Sequence, residues 1–505
     1  MQFNKKFYNK YFSYTKHLLI LFSFWISINT GSKYIAIDNL NWHIYNNTFN
    51  FLRSILPYVF LIYYFIFEIK NYKNKSLNFD IIFKLFFLYG SLQILGLIYK
   101  FDDFYEHYWV VCLFSVLIFY NLIKEKNDEK LFNYIFFINI IAILLVFSIF
   151  TFITFKENIL SENLLYNSTT FAIIYNTENL PRSSGLSRMA LILFIFFNSL
   201  YFSKIFKKKI NICLNIACIV LVSIIFLFQS RGVLLSYLLI FVGLIICFRL
   251  KNIIQYFCLM ILIPILLFVS YPNIKNVLME KYGQKKEVLA SKKKIQLKNF
   301  EINLRNNLLT AEKELNENSF LNKIYSISNN RVYAWDFLLQ IFFKNKLNEK
   351  MKNKLLIEGY SVNGFKEIKK KNFFTGFGPQ ADRHILYNNK TIYTEGANSE
   401  LVLGPFGFSA SNGIIYSLVC SGLLGMICFL TINLIIFLKI IRLLIHHFKK
   451  SNLNSKPFLS SAIFSILFLQ MRVLFENSFS VFGVDLLIFM SSYIIIQNEY
   501  GKLNN

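Results

Sequence analysis

The sequence predicts an all-α polytopic membrane protein, and three observations lead to this fold class. The mean hydropathy is +0.45, and 55% of the 505 residues are hydrophobic, which lies above the usual range of soluble proteins. The apolar residues cluster in runs that approach the length needed to cross a bilayer. Each run must be helical, because an open strand in lipid would leave backbone groups without hydrogen-bond partners.

About twelve such runs are present, each of roughly helix-spanning length. They lie near residues 17–31, 54–69, 81–99, 108–123, 131–155, 189–206, 210–229, 232–249, 253–270, 414–438, 458–475 and 480–497. They predict three parts: nine transmembrane helices over residues 1–270, a large external loop domain over 271–412, and three more transmembrane helices over 413–505.

Alternate connections between these runs are rich in lysine and arginine, which favours the cytoplasmic side of a membrane. The basic connections carry Lys70, Lys73 and Lys75; Lys124, Lys126 and Lys130; Lys204 and Lys207 to Lys209; Arg249 and Lys251; and Lys439, Arg442, Lys449 and Lys450. The alternation places both termini in the cytoplasm and the 271–412 segment outside. The formal net charge of +26 therefore lies in the connections, where it can meet anionic lipid or phosphate.

Arginines are concentrated on the predicted outer face, whereas lysines dominate the inner one. They occur in Pro181-Arg182-Ser183-Ser184-Gly185-Leu186-Ser187-Arg188, in Ser230-Arg231-Gly232, at Arg331, at Arg383, and at Arg472 with Glu476. A guanidinium group stays charged and binds phosphate through two parallel N–H donors, so this segregation indicates phosphate chemistry. The alternative for any single arginine is that it snorkels to lipid headgroups. Gly185 and Gly232 are expected to leave the neighbouring backbone open to a ligand.

Two motifs lie within the long polar segment. Arg331 and Trp335 are four residues apart, so on a helix they share one face. The pair is either a floor for a sugar ring or an ordinary cation–π contact. Gly376-Phe377-Gly378-Pro379 predicts a turn.

Ser411-Asn412 begins an apolar helix that carries Gly422 and Gly425, a spacing that lets another helix approach closely. Arg472 and Glu476, four residues apart, are expected to pair on one helix face. His384 is the only histidine in the external segment and has no neighbours at metal-ligand spacing, so a surface histidine is favoured over a general base.

Taken in chain order, these motifs resemble the O-antigen polymerase and O-antigen ligase superfamily of bacterial envelope proteins. The resemblance covers roughly residues 180–430. It implies a GT-C-like membrane glycosyltransferase in the bacterial inner membrane, which acts on undecaprenyl-pyrophosphate-linked glycan outside the cytoplasm. The ligase branch typically has a histidine just before the asparagine, where this chain has Ser411, so the polymerase branch is preferred.

The resemblance also implies the roles of individual residues. Arg188, Arg231 and Arg331 would be catalytic, and the substrate-binding residues would be Arg182, Trp335, Gly376, Gly378, Asn412, Arg472 and Glu476. No metal and no cofactor is expected. The general base stays open among Asp336, Asp382, His384, Glu395 and Glu476.

The implied partners are lipid-linked glycan, membrane lipid, a chain-length regulator and a flippase, without nucleic acid. Two alternative functions remain open: an O-antigen ligase and a polysaccharide flippase or transporter. A transporter would usually show matched halves with polar or broken helices at mid-membrane, and no such symmetry is found in the sequence.

Overall fold

The computed structural model is built from α-helices. It describes residues 3–28, 55–63, 79–98, 107–160, 183–228, 230–248, 253–282, 331–344, 373–382, 385, 410–450 and 453–504. In these ranges there is no β-strand, as predicted for an all-α protein.

The helices before the long polar segment follow the predicted runs. They are α1 (Phe3–Ser27), α2 (55–63), α3 (Ile81–Ile98), α4 (His107–Glu125), α5 (Glu129–Leu160), α6 (Ser183–Ser203), α7 (Lys208–Phe228), α8 (Arg231–Phe248), α9 (Ile253–Phe257) and α10 (Ile263–Tyr282). A π-helical turn, Cys258–Leu262, joins α9 to α10. Because α10 continues to Tyr282, it extends past the predicted domain boundary at residue 270.

Four further helices are described in the remainder of the chain. They are α11 (Arg331–Lys344), α12 (Gly413–Lys450), α13 (Pro457–Arg472) and α14 (Val484–Asn504). Each of the twelve predicted spans overlaps one of the helices. Seven helices of the described chain are long and apolar enough to cross a membrane, and three shorter apolar helices, Thr15–Ser27, Ile81–Leu97 and Pro457–Arg472, accompany them. A total of twelve crossings stays a prediction.

The centre of the bundle is formed by α6, α13 and α14. Residues Ala190 to Ile195 of α6 and Leu486 to Met490 of α14 are completely or almost completely buried. These segments are apolar around the whole helix, which is typical of helices enclosed by other helices. In contrast, α7, α8 and α10 expose many large apolar side chains, such as Ile216, Leu239 and Leu266, as expected of lipid-facing helices.

One end of the bundle is held together by lysine side chains that contact carboxylate and amide oxygens. Lys124 contacts Asp80 at 3.0 Å, Lys439 donates to Gln497 at 2.6 Å, and Lys456 pairs with Glu499. These contacts join connections that the lysine alternation assigns to a single side. The structure therefore brings the connections before α3, after α4 and after α12 to the same end as the last part of α14. The side of the membrane on which this end lies stays a prediction.

A second, smaller apolar cluster lies at the other end. It joins α11, the 373–382 segment and the first turns of α12 through Phe337, Phe342, Phe377, Tyr416 and Val419, which are all buried. The polar segment of the sequence therefore contributes a short helix and a loop that pack against a membrane-spanning helix.

Candidate functional site

Arg188 and Arg472 share one carboxylate, that of Asp485. Arg188 Nη1 lies 3.0 Å from Asp485 Oδ1, and Arg472 Nε donates to Asp485 Oδ2 at 3.0 Å. Only 3% of the Asp485 side chain and 8% of the Arg472 side chain are exposed. The Arg188 side chain is 17% exposed. Charged groups that are buried or largely buried are costly unless they are paired, so this cluster is the candidate functional site within the helix bundle.

The pairing corrects one prediction. The described partner of Arg472 is Asp485 rather than Glu476. The reason is that α13 ends at Arg472, and Glu476 lies beyond the helix, where its backbone N–H bonds to the Arg472 carbonyl oxygen at 2.9 Å.

Asp485 is not among the residues predicted from the sequence. Its signal was present, since it is an acidic residue in the first turn of the apolar helix α14. An ionisable residue in an apolar helix is a functional candidate by default. The prediction missed it because only arginines were taken as the mark of the outer face.

The connector between α13 and α14, residues 473–483, meets several of the predicted motifs. Asn412 Nδ2 donates to the Leu474 carbonyl oxygen at 3.1 Å, and the Gly413 N–H donates to the Val473 carbonyl oxygen at 2.8 Å. A Cβ atom at Gly232 would lie 3.2 Å from the Phe475 ring. The connector therefore brings the Asn412 and Arg231 motifs beside Arg472.

The two glycines expected to leave the backbone open behave differently. Beyond its chain neighbours and the backbone of its own helix, Gly185 has no described atom within 4 Å of where a Cβ would stand, which agrees with the prediction of open space at this position. The prediction of open space beside Gly232 is wrong, because the Phe475 ring fills that space. Arg231 itself is exposed at the first residue of α8.

Asn412 is the N-cap of α12. Its Oδ1 accepts hydrogen bonds from the backbone N–H groups of Ile414 and Ile415, at 2.9 and 3.1 Å. These are the donors that an N-cap side chain usually satisfies. With the bond to Leu474, the Asn412 amide fixes the start of α12 against the connector, so the structure gives this residue a positioning role.

Trp335 and Asp382 hold the residue just before this motif. Trp335 Nε1 donates to the Ala410 carbonyl oxygen at 2.6 Å, and Asp382 Oδ2 accepts from the Ala410 N–H at 2.7 Å. Arg331 begins α11 one turn before Trp335, so the predicted shared face is confirmed for the helix backbone. The Arg331 side chain lies outside the described residues.

Gly376 and Gly378 form the predicted turn, and both have positive φ angles, 71° and 96°. The turn packs into α12 where that helix is interrupted at Gly422, whose φ is 69°. The Phe377 and Gly378 N–H groups donate to the Val419 and Cys420 carbonyl oxygens, at 2.9 and 3.0 Å. The Val419 and Cys420 carbonyl oxygens, next to the interruption of the helix, thus accept hydrogen bonds from the loop.

The expectation that another helix packs closely against Gly422 is therefore wrong. The segment that packs against Gly422 is the loop that contains Phe374 and Thr375. A Cβ at Gly376 would lie 2.5 Å from the Gly422 nitrogen, and one at Gly96 would lie 2.5 Å from the Gly378 nitrogen. Three backbones therefore meet where only glycine fits.

The remaining candidates are only partly described. Asp336 accepts from Gln340 Nε2 at 2.9 Å, and Asp382 is buried and used by the Ala410 backbone, so both have structural roles. Arg182, Arg383, His384 and Glu395 lie outside the described residues. In the described ranges no group of three or more His, Cys, Asp or Glu side chains is placed to hold a metal ion.

Two cavities lie at the opposite, lysine-rich end. A cavity of about 300 Å³ is lined by residues that include Lys124, Glu129 and Lys502, and one of about 210 Å³ lies beside Lys456 and Glu499. Their cationic groups are already paired with carboxylates, such as Lys502 with Glu129 and Lys456 with Glu499.

Comparisons with known proteins give no family for this chain. No protein-family model matches it, and neither the curated proteins nor the solved structures include a significant match.

Proposed function

We propose that this protein is a metal-independent membrane glycosyltransferase that polymerises undecaprenyl-pyrophosphate-linked oligosaccharide repeat units. It would act on the outer face of the bacterial cytoplasmic membrane, and its product would be O-antigen or a related surface polysaccharide. The observation that carries the proposal is the buried Arg188–Asp485–Arg472 cluster beside the connector that also meets the Arg231 and Asn412 motifs.

The chemistry of the proposed reaction explains the need for arginine. A hydroxyl oxygen of the acceptor sugar attacks the anomeric carbon of a glycan on a second carrier. The new glycosidic bond forms as the bond to undecaprenyl pyrophosphate breaks, and the acceptor proton passes to a base. Negative charge develops on the departing pyrophosphate, and fixed donors aimed at such charge stabilise a transition state by about 3 to 4 kcal/mol each.

The arrangement of the motifs supports this division of roles. Arg472 is buried, Arg188 is largely buried, and both are paired with Asp485, so they are positioned before a ligand arrives. Arg231 is exposed at a helix start beside the connector, where it can reach a headgroup. Trp335 and the Gly376–Gly378 turn connect the external segment to α12, so that this segment can cover bound sugars and exclude water, whose attack on the donor is the competing reaction.

The test uses Arg231→Ala and Arg331→Ala, each expressed in a strain that lacks this protein, with the surface glycan analysed on a gel. Loss of one well-placed donor predicts a fall in polymerisation of about 10²- to 10³-fold, so long ladders should disappear at normal protein levels. Arg442→Ala is the matched control, because Arg442 is exposed and bonds to the Tyr500 hydroxyl at the opposite end. Full ladders from both test variants would contradict the proposal.

The same gel separates the alternatives. A polymerase defect leaves single repeats on the lipid core, whereas a ligase defect leaves polymer on its carrier. Ser411, in the position where the ligase branch typically has histidine, favours the first outcome.

A further inference from the structure

We propose that Asp485 is the positioning residue of this site, which holds the Arg188 and Arg472 guanidinium groups in the arrangement that grips a diphosphate. This inference rests on the proposed function, since it names the residue on which recognition of the leaving group depends.

The geometry assigns one carboxylate oxygen to each arginine. Oδ1 faces Arg188 Nη1, and Oδ2 accepts from Arg472 Nε, both at 3.0 Å. Without the carboxylate, two buried like charges would repel each other and turn apart. Asp485 is itself fixed, because it lies in the first turn of α14, where the helix dipole favours a negative charge.

Both arginines keep donors for a ligand. A guanidinium group has five N–H donors, and the shared carboxylate occupies only part of them. Among the described residues, the buried Arg188 Nε has no hydrogen-bond partner. A diphosphate offers two phosphate groups, each able to accept parallel N–H bonds, and so matches two guanidinium groups held at a fixed separation.

Charge alone does not explain recognition here. Asp485 pairs with both arginines, so part of their positive charge is already compensated before a ligand binds. Selection of a diphosphate must therefore come from the placement of donors, and Asp485 sets that placement. A purely structural Asp485 would influence folding but not the choice between one phosphate and two.

The experiment compares the binding of undecaprenyl diphosphate and undecaprenyl monophosphate to the full-length protein in phosphatidylethanolamine–phosphatidylglycerol nanodiscs. The two lipids share the prenyl chain, so their affinity ratio isolates the second phosphate. The wild type should prefer the diphosphate. Asp485→Asn should lower this preference about tenfold or more, the equivalent of one lost charge-assisted hydrogen bond. Asp485→Glu should lower the preference less.

Asp80→Asn is the matched control, since Asp80 accepts from Lys124 and from the Tyr493 hydroxyl at the opposite end. It should lower the melting temperature and leave the affinity ratio unchanged. An unchanged ratio in both Asp485 variants would overturn the inference, as would tighter diphosphate binding by Asp485→Asn, because the carboxylate would then compete with the ligand. A wild type without any preference for the diphosphate would contradict the proposed function itself, and the inference with it.

Discussion

Trp335 donates a hydrogen bond from its indole Nε1 to the Ala410 carbonyl oxygen at 2.6 Å, and so ties α11 to the residue that precedes Ser411-Asn412. Trp335→Phe keeps a ring but removes the donor. We expect it to lower the free energy of unfolding by about 1 kcal/mol and to shorten the glycan ladders, because the start of α12 loses one support.

The measurements are the melting temperature of purified protein and the surface glycan gel. Trp109→Phe serves as the control, since Trp109 is half-buried and packs edge-on against Tyr108 away from this contact. If Trp335→Phe and Trp109→Phe changed the melting temperature and the glycan ladders equally, the Trp335–Ala410 hydrogen bond would have no particular importance.

Gly422 is where α12 is interrupted, and we expect Gly422→Ala to prevent the 373–378 loop from docking. The residue has a φ of 69°, and an added Cβ would lie 2.5 Å from the Thr375 nitrogen. Backbone strain of this kind costs about 1 to 3 kcal/mol before the clash is counted.

The predicted result is a clear loss of folded protein in the membrane, measured by fluorescence-detected size-exclusion chromatography of a tagged chain. Gly483→Ala is the control, because no described atom lies within 4 Å of an added Cβ at that position. A Gly422→Ala variant as stable as Gly483→Ala would mean that the helix break is dispensable.

Glu499, beyond the apolar part of α14, predicts an acid-sensitive contact. The His447 ring 3.4 Å away and the Lys456 and Lys502 charges hold the pKa of Glu499 near 2 against the opposing effect of burial. Because this folded-state pKa is depressed, the contact stabilises fully above the ordinary value of 4.5 and is lost as the pH falls from 4.5 towards 2.

The melting temperature of Glu499→Gln should therefore lie below that of the wild type at pH 7, and the difference should shrink on acidification. Glu129→Gln is the control, since the Glu129 side chain is 57% exposed and a surface pair contributes little. A difference that is constant with pH would rule out Glu499 as the titrating group.

The two ends of the bundle should be accessible from opposite sides of the membrane. In a cysteine-free background, a membrane-impermeant maleimide should label Gly185→Cys in intact spheroplasts and Lys130→Cys only after permeabilisation. Gly185 has open space around it, and Lys130 is exposed at the start of α5. Labelling of Lys130→Cys in intact spheroplasts would reverse the topology predicted from the lysine pattern.

Hydropathy was sufficient to locate the helices of the predicted spans, because a span must be apolar over its whole length, but it did not indicate α11. The Ser411-Asn412 motif predicted the start of α12, and the Asn412 side chain caps that helix. Hydropathy could not show that α10 continues into the polar segment to Tyr282, because lipid no longer selects for apolar residues there.

The site was harder to predict for a different reason. Sequence spacing paired Arg472 with Glu476, but the end of α13 at Arg472 places Glu476 outside the helix and leaves Asp485 of the next helix as the partner. Likewise the positive φ of Gly422 suits a loop, whereas small-residue spacing suggested a helix. Contacts between elements distant in sequence are set by packing, and local periodicity carries no information about them.

The meeting of Gly96, Gly376 and Gly422 also constrains how the chain is made. Gly96 comes from the first third of the polypeptide and Gly376 and Gly422 from the last, and the backbones at these positions fit together only when all three segments are present. The early spans should therefore stay incompletely packed until the segment that carries Gly376 and the helix α12 have been synthesised. Maturation of this protein should thus be completed after translation, and a chain truncated before residue 422 should be recognised by membrane proteases as unfinished.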